Sequence, residues 1–142
     1  MRGSAPTFDG LEPGDELGPL TIDLGGAFVR DHAVAMNMNA GRFTSDAEAK
    51  AEGLPGQITP GNMSLGLLAR ALLGWLPQAR LERIGTTFRG LALAGVPARI
   101  QAMVTEKSDA ARRIECDFWM ENEAGDRLVI GTATLRFPEP SS

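Results

Sequence analysis

A single histidine, His32, is the one side chain whose ordinary pKa lies near neutrality. It is placed to move a proton in general acid–base work. Its neighbours in sequence give it a partly apolar helical side, so a packed or surface histidine is the competing reading. One histidine cannot build a His-rich metal site within one chain. One cysteine, Cys116, excludes an internal disulfide and a Cys-based zinc cage. Cys116 falls in the apolar register of a strand and reads as core. No metal and no cofactor is expected.

A second kind of chemistry lies in Thr59-Pro60-Gly61-Asn62. Thr59 can cap a helix, and Pro60 at the first helical position loses no needed hydrogen bond. The N–H groups of Gly61 and Asn62 then point out of the first turn, where the helix dipole favours negative charge. The Asn62 side chain could donate a further hydrogen bond there. An ordinary helix start after a turn is the alternative. Asp46 sits in a capping box, Ser45-Asp46-Ala47-Glu48, where an acidic first-turn residue needs no catalytic explanation.

The elements that must position these residues follow from periodicity. Leu65, Leu68, Ala69, Leu72 and Leu76 recur at helical spacing, and Pro77 ends the run. Between Asn62 and Leu76 only Arg70 is charged, so little of this helix can face water. Gly66 and Gly74 each cost about 1 kcal/mol of helix stability against Ala. Either something packs closely there or the cost is tolerated. Phe28 to Met38 can form an earlier helix with Phe28, His32 and Ala35 on one side. The capping box opens a short helix that Gly53 stops. Leu20 to Leu24 alternates and reads as a strand ended by Gly25-Gly26. Ile84 to Phe88 reads as another. Ala98, Ile100, Ala102 and Val104 alternate with polar neighbours, as do Ile114, Cys116, Phe118 and Met120. Leu128 to Phe137 is rich in β-branched residues, and Asn122 to Asp126 supplies the turn before it. Trp119 falls on the strand face opposite Phe118 and could line an interface or a pocket. The expected architecture is α+β, a curved antiparallel sheet of meander strands wrapped around one apolar helix.

Composition narrows the function classes. The chain has 142 residues, 43% of them hydrophobic, which suits one folded domain. The formal net charge is −4 without a Lys/Arg cluster, which argues against nucleic acid. Leu65 to Leu76 is too short to span a bilayer, so no membrane is expected. No apolar signal segment opens the chain, and a cytoplasmic location is the default. Met1 to Ser4 reads as a vector-derived leader. Residues 1–10 are expected to be flexible, 11–138 to form the domain and 139–142 to be a loose tail.

Four stretches together resemble the MaoC-like dehydratases, or (R)-specific enoyl-CoA hydratases, of the hotdog fold. They are Leu11 to Asp15, Asp46 to Leu54, Ile58 to Met63, and Met120 to Ala133. Their order and spacing carry the resemblance; no single motif does. It implies a hotdog fold, pairing into a homodimer or with another hotdog chain, and binding of acyl groups on coenzyme A or an acyl carrier protein. The implied reaction is reversible addition of water to a 2-enoyl thioester. It also implies that Gly61 polarises the thioester carbonyl, with Pro60, Asn62 and Phe43 beside the substrate.

The same resemblance exposes a departure. The family's Asp and His positions fall at Met38 and Phe43, and its second His at Pro60. None of these takes a proton. Asn39 and Arg42 flank the lost positions and could hold a carbonyl or carboxylate. A rebuilt site would draw on Asn39, Arg42, His32 and Asn62. The alternatives are a non-catalytic subunit that pairs with an active chain, a thioesterase, or a binder of another hydrophobic small molecule. The absence of Asp and Glu from Asn62 to Leu76 counts against the thioesterase.

Overall fold

The computed structural model describes residues 5–22, 25–38 and 40–140. Met1 to Ser4 lie outside the described residues, as do Asp23 and Leu24 of the expected first strand. The order is β1 (Glu16–Ile22), α1 (Gly26–Ala35), α2 (Gly41–Thr44), α3 (Asp46–Ala51), α4 (Gly61–Trp75), β2 (Arg80–Phe88), β3 (Ala98–Ser108), β4 (Arg113–Asn122) and β5 (Arg127–Arg136). No helix among the described residues is long and apolar enough to cross a membrane.

Alternation gives β3 and β4 one buried face each. Ile100, Ala102 and Val104 face the core from β3, and Ile114, Cys116, Phe118 and Met120 face it from β4. Phe118 is paired across the sheet with Ala102 on one side and Gly131 on the other. Its ring fills the space a side chain at position 131 would need. The small residues are therefore what lets the largest core side chain lie flat on the sheet.

The sheet is antiparallel, in the order β1-β3-β4-β5-β2. This corrects the expectation of a simple meander. Only β3, β4 and β5 follow one another. One side of β3 is taken by β1, through Leu17–Ala102 and Leu20–Ile100 pairing, so β2 finds its partner on the far edge, at β5. Residues 89–97 then carry the chain back past the start of α4, where Ile58 bridges Leu93 and the Thr59 N–H donates to the Ala92 carbonyl at 2.7 Å.

Helix α4 touches β1, β3 and β2. β1 and β2 are the two sheet edges, about 19 Å apart at ~4.8 Å per strand. A helix about 10–12 Å across reaches both only if the sheet curls around it. Leu68, Leu72 and Leu76 are fully buried against that inner face, with Met63, Ser64 and Ala71 beside them. Leu65 and Ala69 are half-buried. Space beside Gly66 and Gly74 is open, so close packing is not their reason within this chain.

Two local expectations change. Pro60, not Thr59, is the N-cap of α4, with extended dihedrals of φ −58° and ψ 144°. Thr59 is buried, its N–H is held by the returning chain, and its hydroxyl has no partner among the described residues. Helix α1 spans Gly26–Ala35 and buries Val29 and Ala33, whereas Phe28 and Ala35 face out. The Ser45 cap is as read: its hydroxyl accepts from the Glu48 N–H at 3.2 Å.

Ordered packing also begins before Leu11, inside the stretch expected to be loose. Phe8 is 3% exposed and stacks on Phe137 with ring centroids 5.5 Å apart. The Lys107 ammonium lies 4.7 Å from its centroid and the Arg112 guanidinium 4.8 Å. Cation–π contacts reward an aromatic ring here over any aliphatic one. Phe8→Ala is expected to cost about 3 kcal/mol in urea unfolding. A loss below about 0.5 kcal/mol, the range of an uninvolved surface position, would return residues 5–10 to the status of a leader.

Candidate functional site

The first turn of α4 is where polar groups converge. The Pro60 carbonyl accepts from the Met63 and Ser64 N–H groups at 3.0 and 3.2 Å. The N–H groups of Gly61 and Asn62 find no acceptor among the described residues. Two adjacent donors at the positive end of a 15-residue helix suit a carbonyl oxygen that gains negative charge. Asn62 is exposed, and its Oδ1 lies 3.5 Å from His32 Nε2, a long contact. Structure thus joins two sequence candidates 30 positions apart.

Other candidates are held differently. The Arg42 guanidinium pairs with Glu52 at 3.1 Å and lies 5.9 Å from the Phe43 ring, at the surface. It is committed to a neighbour rather than to α4. Phe43 and Met38 are half-buried on the segments that precede α3. Asn39 lies outside the described residues. Cys116 is fully buried, and burial pushes its thiol up to about 12, which keeps it protonated and inert at neutral pH.

Sequence reasoning missed Gln57, the residue that ties this region together. Its side chain is 8% exposed, and Nε2 donates to the Gly26 carbonyl at 3.0 Å and the Phe43 carbonyl at 2.7 Å. Its own N–H donates to Asp46 Oδ1 at 3.1 Å, and its carbonyl accepts from Ala94 at 2.9 Å. One amide therefore fixes α1, which bears His32, and α2, which bears Phe43, to the lead-in of α4. The Lys50 ammonium at 3.0 Å, helped by the Gln57 N–H, lowers the pKa of Asp46. Asp46 acts on backbone position, as its capping-box place indicated. No periodicity marks a lone buried glutamine, so only the fold reveals it.

Two concavities lie elsewhere. One, of about 560 Å³, sits on the outer sheet face around Trp119, Ile130, Met103 and Asp117, with Arg127 stacked 4.4 Å over the Trp119 ring. The other, of about 450 Å³, is an apolar cleft along α4 formed by Leu20, Ile22, Leu67, Ala71, Gly74 and Trp75, with Arg70 at its rim. Neither holds a histidine or a helix start. The first is the larger of the two.

No family model and no curated protein sequence matches this chain. Solved structures do. An R-hydratase, PhaJ1, from Pseudomonas aeruginosa superposes with a TM-score of 0.85 at 20% identity, over 94% of this chain and 86% of that one. A MaoC-like dehydratase from Rhodospirillum rubrum gives 0.79 at 16% identity, over 94% and 97%. The ChsH1-ChsH2 complex from Mycobacterium tuberculosis gives 0.80 at 21% identity, over 89% and 98%. The fold is the hotdog. Its neighbours are MaoC-like dehydratases and (R)-hydratases, and at these identities the likeness is one of fold. Within the hotdog, α4 is the central helix.

Gln57→Glu replaces both donors with an acceptor facing two carbonyls. It is expected to destabilise the chain by about 2 kcal/mol or more. Amide exchange should rise over residues 26–44 while β3 to β5 stay protected. Unchanged exchange over 26–44 would show that Gln57 does not fix these helices.

Proposed function

We propose that this hotdog chain is of the hydratase/dehydratase type and holds an acyl thioester, on coenzyme A or an acyl carrier protein, at the start of α4. The observation that carries the reading is the pair of N–H groups of Gly61 and Asn62, which find no acceptor among the described residues, with His32 drawn up to the Asn62 side chain. The thioester oxygen would accept from these N–H groups. Hydration places the oxygen of water on the β-carbon and a proton on the α-carbon of the enoyl group, while the double bond opens. The negative charge that passes through the carbonyl oxygen is what the helix start stabilises. His32 would take the proton from water and return it at the α-carbon, and Asn62 would orient the imidazole. Pro60 and Phe43 would border the substrate. The apolar cleft along α4 supports a hydrophobic acyl group. No cofactor takes part, and the protein acts in the cytoplasm as a pair of hotdog chains.

A second reading has a specific observation in its favour. Met38 and Phe43 stand where the resemblance places the catalytic Asp and His, and one fold neighbour is a two-chain complex. In that reading the chain is a non-catalytic subunit beside an active hotdog partner. Assay of the isolated chain with crotonyl-CoA, followed by loss of the enoyl-thioester absorbance, separates the two. Hydration by the chain alone is expected, with His32→Gln lowering kcat by about 10²-fold or more. A chain that is inactive alone but raises the activity of a hotdog protein bearing the Asp and His would replace the first reading by the second.

A further inference from the structure

Phe88 closes β2 opposite Val129 and keeps 52% of its surface exposed. Its ring is nevertheless fixed at one point. The Cζ atom would stand 3.1 Å from a Cβ built on Gly61, and Cε1 3.3 Å. The ring edge thus covers the side of Gly61 that a side chain would occupy. Cα–Cβ bonds in a helix tilt toward its N-terminus, so this side adjoins the direction in which the Gly61 N–H points. The aromatic edge and the free donor therefore meet whatever sits at the turn together.

We infer that Phe88 is a specificity-determining residue that excludes thioesters branched at the α-carbon. The inference rests on the thioester reading of the α4 turn. A carbonyl oxygen about 2.9 Å from the Gly61 nitrogen leaves its α-carbon only two bonds away, beside the ring edge. An unsubstituted α-carbon of a straight acyl chain passes that edge. A methyl branch there competes for the volume that the ring already fills. A side chain at position 61 would crowd the Phe88 ring edge, so the glycine keeps that edge at the turn. A single methyl group is worth about 10- to 200-fold in such discrimination.

The test uses the full chain and two probes, crotonyl-CoA and its α-methyl analogue tiglyl-CoA, with binding measured by calorimetry. Wild type is expected to prefer crotonyl-CoA by about tenfold or more. Phe88→Ala should bring the two affinities within about twofold, mainly through a gain for tiglyl-CoA. Phe88→Leu should fall between, and it provides the same ratio if the alanine variant fails to fold. An unchanged ratio in a folded variant overturns the role of Phe88 while leaving the thioester site intact. Binding of neither probe by wild type overturns the site and the inference together.

Discussion

Everything at the candidate site depends on how α4 is seated. Leu68, Leu72 and Leu76 lie fully buried on the inner face of the sheet. Full burial of each such side chain is worth about 1.5–3 kcal/mol. A helix anchored this way cannot slide along the sheet without exposing them. Its first turn is held in turn by the chain that returns from β2, through the Ile58–Leu93 bridge and the Thr59 to Ala92 hydrogen bond. The two donors of Gly61 and Asn62 are thus fixed by apolar packing at one end of the helix and by backbone pairing at the other. Preorganised donors of this kind pay no reorganisation when charge develops on a ligand.

A site built on backbone N–H groups tolerates changes that a side-chain dyad does not. Any residue except proline supplies an N–H, so the α4 turn keeps its donors whatever happens around it. Met38 and Phe43 can be apolar without touching that property. At Gly61 the missing side chain leaves room for the edge of Phe88 beside the turn. Gln57, through its single amide, places α1 and α2 against the turn and brings His32 to Asn62.

The parts of this fold legible in the sequence are those set by local periodicity. Alternation in β3 and β4 and the leucine spacing of α4 exposed their buried faces directly, and the Ser45 cap was readable from four residues. Strand order was not legible, because which edge β2 joins depends on β1 already occupying β3. The inward side of α1 was misplaced because Val29 and Ala33 outweigh a more conspicuous Phe28. Phe8 was taken for leader because its partners Lys107, Arg112 and Phe137 lie about a hundred residues away or more. The helix start at Gly61 and Asn62 was legible from Thr59-Pro60. Gln57 and Phe88 were not, since neither belongs to a pattern and each acts through contacts that only the tertiary structure makes. The contact between His32 and Asn62 belongs with them.

The central claim is that ligands are received by the N–H groups at the start of α4. Backbone amide NMR during titration with crotonyl-CoA tests it most directly. The account predicts that the Gly61 and Asn62 resonances shift furthest and move downfield as their protons gain an acceptor. Shifts confined to Trp119, Arg127 and Ile130, on the outer face of the sheet, would contradict it.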